Sequence, residues 1–143
     1  MSDLRLPYYT LSSEAFSGFK TIKNTLESSS LSVELIELLY MRVSQINGCS
    51  FCLEMHGKSL RKHGESDAKI DSLSGWQVSS LYSTQERLAL EWAESLTHIS
   101  ATSTSDVNYQ KLKSEFSDQQ ISDMTMAISL MNGLNRIAIS MRQ

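Results

Sequence analysis

The chain has 143 residues, of which 41% are hydrophobic and 20% are charged. This length allows one compact domain with a sizeable core and is too short for two ordinary domains, so we expect a single domain over residues 1–143. Thirteen basic residues against sixteen acidic ones leave a formal charge of -3, and no dense basic stripe is present to neutralise a phosphate backbone. We therefore do not expect nucleic acid as a partner.

Neither end of the chain carries a targeting or membrane-spanning pattern. The first eleven residues, MSDLRLPYYTL, lack the basic flank, apolar run and small-residue cleavage site of a signal peptide. The apolar stretch over residues 121–141 is interrupted by polar residues, so we expect no membrane span and a cytoplasmic protein. In that compartment, two cysteines spaced as CxxC indicate redox or metal chemistry rather than a structural disulfide framework.

The elements predicted along the chain are helices, because one proline and six glycines leave few strand or turn signals. A first helix is predicted from Ser13, as N-cap, to about Glu27, with a linker at residues 28–30. A second helix is predicted after the cap Ser32 and ends with Asn-Gly at residues 47–48. Apolar residues nearly encircle the second helix, so we expect it to be buried at the centre.

Further helices are predicted at four places: from near Ser50 to His63, and after Ser83, Asp106 and Ser117. An irregular stretch around Trp76 separates the first two of these. The helix after Ser83 presents an apolar stripe, which we interpret as plain core: Leu88, Trp92, Leu96 and Ile99. The predicted fold class is therefore all-α, with about six to seven helices in one domain.

The cysteine pair Cys49 and Cys52 falls where the second predicted helix ends and the third begins. Unpaired backbone N–H groups and the positive end of the helix dipole lower a thiol pKa there, and the thiolate is the nucleophilic form. A separation of one helical turn brings the two Cα atoms to about 5 Å, a distance that a disulfide accepts. We therefore predict a disulfide that opens and closes reversibly.

Two further residues are predicted to activate this pair. His56 follows Cys52 by one helical turn, so its ring can take or return a thiol proton near neutral pH. Glu37 falls on the apolar surface of the buried helix, where an unpaired carboxylate is costly and needs a partner. We predict a Glu37–His56–Cys52 relay. In the alternative, Glu37 pairs with Arg42 or Lys58, or points to solvent.

Zinc is a second interpretation of the same region, since Cys49, Cys52, His56 and His63 superficially offer four ligands. On one helix, His63 would lie about 16 Å from Cys52 along the axis, far beyond the ~2 Å ligand distances of a single metal ion. A site built from Cys49, Cys52, His56 and Glu37 stays open as the less favoured alternative. We expect no metal and no other cofactor.

The spacing of these residues resembles a known active-site pattern. The spacing Glu37-x11-Cys49-x2-Cys52-x3-His56 resembles the active-site pattern of the AhpD-like alkylhydroperoxidases, which belong to the carboxymuconolactone decarboxylase superfamily. Two further stretches are similar to that family: TQERLALEWA over residues 84–93 and NGLNR over residues 132–136. The resemblance spans most of the chain and indicates one AhpD-like domain over residues 1–143.

This resemblance implies an all-helical fold that assembles into trimers or hexamers and reduces peroxides without a metal or organic cofactor. It implies that Cys52 is the peroxidatic thiolate and Cys49 the resolving thiol, with Glu37 and His56 as the proton relay. A dithiol of the lipoyl or thioredoxin type would reopen the resulting disulfide. Spacing alone leaves open which cysteine attacks, because the helix dipole favours Cys49 whereas His56 favours Cys52.

One residue departs from the family pattern. Members often carry His or Tyr immediately before the second cysteine, whereas this chain has Phe51, which cannot transfer a proton. Because this position cannot transfer a proton, we expect a lower rate of peroxide reduction than in those family members, or a different substrate. Three aromatic residues are candidates for an apolar wall around an organic peroxide, although core packing is the favoured role of each: Tyr40, Trp76 and Trp92.

Two other functions compete with a thiol peroxidase. A lyase or isomerase of the carboxymuconolactone decarboxylase kind would use His56 and Glu37 as acid and base, but it needs no thiol pair and would want more basic residues near the site. A non-enzymatic thiol sensor would use the disulfide to change an oligomer interface. We expect a hydroperoxide substrate, a dithiol reductant and a homo-oligomer, with no binding to membranes.

Overall fold

The computed structural model describes residues 3–143, and that part of the chain is helical without a β-strand. The predicted all-α class is therefore confirmed. In chain order the helices are α1 Tyr8–Leu11, α2 Ser13–Glu27, α3 Val33–Asn47, α4 Ser50–Lys62, α5 Asp67–Asp71, a 3-10 helix Leu73–Val78, α6 Thr84–Thr97, α7 Ile99–Thr102, α8 Asp106–Lys113 and α9 Asp118–Met141.

Helix α3 lies at the centre and packs against α4, α6 and α9. It begins where the Ser32 side chain accepts a hydrogen bond from the backbone N–H of Leu35, at 3.1 Å. It ends at Gly48, whose φ of 73° lies in the left-handed region that a glycine adopts without a Cβ clash. Leu38 and Leu39 have no exposed surface, and burying such a side chain contributes about 1.5–3 kcal/mol. The prediction of a buried central helix is confirmed.

Helix α9 is the longest helix of the described range, with 24 residues. Its first turn is closed by a capping box between Ser117 and Gln120, and Met124 and Ile128 on its inner face are fully buried. No helix within residues 3–143 is both long enough and apolar enough to cross a bilayer.

Helix α2 packs along α9 at a point where α9 carries a glycine. A Cβ added to Gly133 would lie 3.3 Å from the ring of Phe19, so the missing side chain leaves room for that ring. Leu26 is the one fully buried side chain that α2 contributes, which leaves much of its apolar face on the surface. This face becomes one wall of the cavity described below.

Several predicted details are corrected by the structure. Ser13 is the first residue of α2 rather than its N-cap, and the cap Ser12 makes no side-chain hydrogen bond. The stretch around Trp76 contains a short 3-10 helix, preceded by α5, and the backbone of that 3-10 helix is non-helical at Gly75; both segments are too short for a periodic pattern to show. Ile99 is not core, because α6 ends before it and its side chain is 55% exposed.

Candidate active site

The two cysteines lie at the start of α4. Cys49 is the N-cap residue and Cys52 belongs to the first turn, where backbone N–H groups lack partners within the helix. They form a disulfide with a Cα–Cα distance of 5.3 Å, as the spacing predicted. Both side chains are buried, Cys49 at 1% exposure and Cys52 at 3%. The helix start is therefore electrostatically suited to a thiolate when the disulfide is reduced.

A polar network inside the protein holds the corner between α3 and α4. The buried side chain of Asn135 on α9 donates a hydrogen bond to the hydroxyl of Ser44, at 3.1 Å. The Asn47 side chain donates to the amide oxygens of Asn132 and Asn135, both at 3.0 Å. The carbonyl of Ser44 in turn accepts the backbone N–H of Cys49, at 3.0 Å. These bonds tie the cysteine corner to α9.

Glu37 and His56 form a buried pair behind the cysteines. Glu37 comes from α3 and His56 from α4, and the packing of these helices brings Oε2 to 2.7 Å from Nδ1. The side chains are 6% and 1% exposed, so little water competes for the hydrogen bond. A neutral imidazole that donates from Nδ1 to the carboxylate keeps Nε2 as its proton acceptor.

The alternative partners of Glu37 are engaged elsewhere. Arg42 forms an ion pair with Glu94, at 2.9 Å, and Lys58 forms one with Glu54, at 2.8 Å. Glu34, one turn before Glu37 on α3, is exposed. The structure thus brings Glu37 and His56 together, and the catalytic role of the pair stays a prediction.

The third member of the predicted relay is not hydrogen-bonded to the imidazole in this disulfide form. Nε2 of His56 is buried and has no hydrogen-bond partner among residues 3–143. The sulfur of Cys52 is bonded to Cys49 and carries no proton to exchange. His56 lies one helical turn beyond Cys52 on α4, so the two side chains are on the same face of that helix.

Tyr40 lies against the imidazole, a placement that the sequence did not single out. Its ring centroid is 5.2 Å from that of His56, and its hydroxyl is buried without a hydrogen-bond partner in the described chain. Burial, reinforced by the negative charge of Glu37, raises the pKa of the Tyr40 phenol. The hydroxyl therefore stays protonated at neutral pH. The only sequence signal was its position one turn after Glu37 on the same buried helix.

An apolar cavity opens beside Cys52. Its volume is about 470 Å³, and residues of α1, α2, α4 and α9 line it. Its lining is mainly aromatic and aliphatic: Tyr8, Tyr9, Phe16, Phe19, Phe51, Cys52, Met55, Met131, Leu134, Ile137 and Ala138, with Lys20, Lys23 and Gln143. Cys49 instead borders a smaller cavity of about 170 Å³.

The aromatic residues predicted as a possible wall lie elsewhere. Trp76 donates from Nε1 to Glu94 at 2.7 Å, and Trp92 donates to Thr125 at 3.1 Å, so both pack within the core. Tyr40 is buried beside His56 rather than in the cavity. Phe51, which the sequence marks only as a departure from the family pattern, lines the cavity and is 40% exposed.

The ligands required for the zinc interpretation do not converge. His63 is exposed at the end of α4, where Nδ1 lies 2.8 Å from the carbonyl of Ser59. Within residues 3–143, no three side chains of His, Cys, Asp or Glu are grouped closely enough to hold a metal ion. The structure thus offers no metal centre in that range.

Known proteins resemble this chain in both sequence and structure. Residues 13–95 match the carboxymuconolactone decarboxylase family. The uncharacterized protein YdfG of Bacillus subtilis (strain 168) is 34% identical over 137 residues, which is 96% of this chain and 93% of YdfG. The uncharacterized protein YnjA of Escherichia coli (strain K12) is 30% identical over 95 residues, which is 66% of this chain and 52% of YnjA.

Two solved structures share the fold. A protein of unknown function from Agrobacterium tumefaciens, with a suggested role as the antioxidant defence protein AhpD, superposes with a TM-score of 0.94 at 38% identity, covering 99% of this chain and 97% of its own. An uncharacterized peroxidase-related protein from Silicibacter sp. TM1040 gives a TM-score of 0.80 at 28% identity over 90% and 68% of the two chains. This chain therefore belongs to the carboxymuconolactone decarboxylase family and has the AhpD-like fold.

Proposed function

We propose that this protein is a thiol-dependent peroxidase that reduces hydroperoxides through a Cys49–Cys52 disulfide cycle. The observation that carries the proposal is that Cys52 lines an apolar cavity and lies one helical turn before His56, whose imidazole contacts the buried carboxylate of Glu37. Family membership supports chemistry of the peroxidase or the decarboxylase kind, and the cysteine pair favours the peroxidase.

Activation of the thiol begins with the buried pair. When the disulfide is reduced, Nε2 of His56 takes the proton of the Cys52 thiol, and the carboxylate of Glu37 stabilises the resulting imidazolium through Nδ1. The backbone N–H groups at the start of α4 stabilise the thiolate that forms. Charge separation of this kind is favourable in a buried site only because each charge faces a partner.

Peroxide reduction follows from attack by this thiolate. The sulfur of Cys52 attacks the terminal oxygen of the hydroperoxide ROOH, so an S–O bond forms while the O–O bond breaks. The imidazolium of His56 returns its proton to the leaving alkoxide, which departs as the alcohol ROH. Sulfur is oxidised by two electrons to a sulfenic acid, and the peroxide is reduced by the same two electrons.

The second cysteine closes the cycle. The thiol of Cys49 attacks the sulfenic sulfur of Cys52, the disulfide forms, and the oxygen leaves as water. A dithiol then reduces the disulfide by two successive thiol exchanges and is itself oxidised to a disulfide. The sum is ROOH plus a dithiol giving ROH, water and the oxidised dithiol.

The surroundings of the two sulfurs support Cys52 as the attacking residue. Cys52 borders the larger cavity, which has room for an organic hydroperoxide, and it lies one turn from His56. Cys49 borders the smaller cavity, and its backbone is tied to Ser44 at the corner of α3. This arrangement supports Cys49 as the resolving residue.

Steady-state peroxide consumption with a recycling dithiol tests the proposal. The reduced wild-type protein is expected to turn over an organic hydroperoxide many times per site. Cys52→Ser should abolish consumption, and Cys49→Ser should permit at most one oxidation per site because the sulfenic acid has no resolving thiol. Ser50→Ala, an exposed substitution between the two cysteines, is the matched control and should keep turnover.

The other candidate functions give different results in the same assay. A thiol sensor would be oxidised once per site and would not turn over with the dithiol. A decarboxylase-type enzyme would leave peroxide consumption at the background rate and would keep its activity in Cys52→Ser. Turnover unaffected by Cys52→Ser would contradict the proposed mechanism.

A further inference from the structure

The cavity beside Cys52 has a composition that selects among hydroperoxides. We infer that it binds an amphiphilic substrate, a hydroperoxide with an alkyl chain and a carboxylate group, with the chain in the apolar part and the carboxylate on Lys20 and Lys23. This inference rests on the proposed peroxidase function and adds the class of substrate to it.

The apolar part of the cavity is a continuous wall of aromatic rings faced by aliphatic side chains. Tyr8 contacts Phe16 with ring centroids 5.5 Å apart, and Phe16 contacts Phe19 at 6.4 Å. Met131 and Leu134 of α9 also line the cavity. A cavity of about 470 Å³ falls within the range of small-molecule sites, and an alkyl chain would gain about 0.8 kcal/mol per buried methylene there.

The aromatic wall is held in place by the end of the chain. The backbone N–H of Arg5 donates to the carbonyl of Met141 at 2.8 Å, and the hydroxyl of Tyr8 donates to the side-chain oxygen of Gln143 at 3.2 Å. These two hydrogen bonds fix helix α1 to the end of α9. The segment before α2 therefore has a defined position, and the cavity is present without any movement of that segment.

Lys20 and Lys23 are the only charged side chains among the described residues that line the cavity. Lys20 and Lys23 are one turn apart on α2, on the same face of that helix, and neither forms an ion pair within residues 3–143. Lys20 lies over the ring of Phe16 at 5.5 Å, and Lys23 is half-buried. No Asp or Glu is among the described lining residues. The cavity is thus electrostatically complementary to an anionic group.

The positions of the reactive and charged groups agree with one binding orientation. Cys52 belongs to α4 and the lysines belong to α2, so the sulfur and the ammonium groups are supplied to one cavity by two different helices. A substrate held by its carboxylate on α2 presents a hydroperoxide group further along its chain to α4. Reduction gives the corresponding hydroxy acid, and the oxygen that is transferred to sulfur leaves as water in the resolving step.

Binding of unreactive analogues tests this inference without turnover. Dodecanoate and dodecanol have the same alkyl chain, and only the first is charged at neutral pH. Isothermal titration of the disulfide form should give tighter binding of dodecanoate, by about tenfold, which corresponds to about 1.4 kcal/mol. The preference should decrease with added salt, because the lysines are at the edge of the cavity and are screened.

Substitutions at the two lysines separate charge from packing. In Lys20→Met/Lys23→Met the apolar stems are kept and the charges are lost, so the preference for dodecanoate should disappear while dodecanol binds as before. Lys62→Met is the matched control, because Lys62 is exposed at the end of α4 and does not line the cavity. A preference that persists in the double variant, or equal binding of the two analogues in the wild type, would overturn the inference.

Two further results keep this test apart from the test of peroxidase activity. If dodecanoate binds as expected but no hydroperoxide is turned over, the peroxidase proposal fails and the cavity stands only as a binding site for anionic amphiphiles. If neither analogue binds and the chain self-associates through the aromatic wall, the occupant is a second copy, and the inference is wrong. With turnover present, a chain-bearing carboxylate hydroperoxide should have a higher kcat/KM than tert-butyl hydroperoxide, and the double lysine variant should lose only the part of that difference that comes from the carboxylate.

Discussion

On the inner side of Cys52, between α3 and α4, a carboxylate, an imidazole and a phenol hydroxyl are held away from water. On the outer side, between α2, α4 and α9, aromatic and aliphatic side chains face a cavity. This is the reverse of the usual distribution, in which polar groups lie outside and apolar groups inside. In the proposed function, the inner side transfers protons and the outer side binds the organic substrate.

Burying the polar groups of the inner side lowers the stability of the protein, whereas the apolar lining of the outer side carries no such desolvation cost. Glu37 and His56 compensate each other through a 2.7 Å contact, whereas the hydroxyl of Tyr40 and Nε2 of His56 have no partner in the described chain. Unpaired buried polar atoms lower stability and are often found where a site needs them for chemistry. Substitutions on the inner side should therefore change rate, and substitutions on the outer side should change binding.

The largest expected effect is loss of the imidazole. His56→Gln removes the proton acceptor for the Cys52 thiol, so kcat/KM for a hydroperoxide should fall by about 100-fold to 10,000-fold. His63→Gln, at the exposed end of the same helix, is the matched control and should leave kcat/KM unchanged. Equal kcat/KM in the wild type and His56→Gln would show that the inner side takes no part in the reaction.

A smaller effect is expected from the network that holds the cysteine corner. Asn135→Ala removes the partner of the buried Ser44 hydroxyl and one of the two acceptors of the Asn47 amide, so the free energy of unfolding should fall by about 1–3 kcal/mol in urea titrations. Asn24→Ala, on the exposed face of α2, should change it by less than about 0.5 kcal/mol. Equal stability of the two variants would show that the network does not hold the corner.

An effect on binding alone is expected from the outer side. Phe51→Ala removes an aromatic ring from the cavity wall, so KM for an organic hydroperoxide should rise by about fivefold while kcat is retained. Val78→Ala, at a side chain that is 95% exposed, is the control. A fall in kcat without a change in KM would show that Phe51 acts in the chemical step. That result would contradict the assignment of catalysis to the inner side and of substrate binding to the outer side.

The smallest effect is expected at Tyr40. Because its hydroxyl has no partner in the described chain, Tyr40→Phe should leave the free energy of unfolding near neutral pH unchanged or slightly increased. Burial raises the pKa of this phenol above its usual value of 10.0, so the folded protein loses stability as the pH rises above about 10, where the unfolded chain releases the proton first.

Unfolding titrations near pH 8 and pH 11 measure this difference. The wild type should lose more stability between the two pH values than Tyr40→Phe does. Tyr109→Phe, at a partly exposed phenol, should behave as the wild type. Parallel losses in all three proteins would contradict the assignment of a dry environment to Tyr40.

Local signals in the sequence predicted the central part of the site. The cap Ser32, the terminator Gly48 and the one-turn spacing of Cys49, Cys52 and His56 each involve residues close in the chain, and all are present in the structure. Glu37 was predicted to meet His56 because a carboxylate on a buried helix needs a partner, and the structure places the two in contact.

The rest of the site depends on contacts between distant segments. The cavity is assembled from residues near both ends of the chain, and Asn47 meets Asn135 across 88 residues, so no local pattern pointed to either. The stripe after Ser83 was extended one turn too far to Ile99, because periodicity does not show where a helix stops. The expected trimer or hexamer, the hydroperoxide and the dithiol partner stay predictions.

The central claim is that Glu37 activates Cys52 through His56, and the rate of thiol alkylation against pH measures this most directly. In a Cys49→Ser background, which leaves Cys52 as the only thiol, Glu37→Gln removes the charge that stabilises the imidazolium. The apparent pKa of Cys52 should rise and alkylation near neutral pH should slow. Glu34→Gln, an exposed glutamate one turn earlier on α3, should leave the profile unchanged. Coincident profiles for Glu37→Gln and the unsubstituted chain would show that Glu37 is structural and would contradict the account.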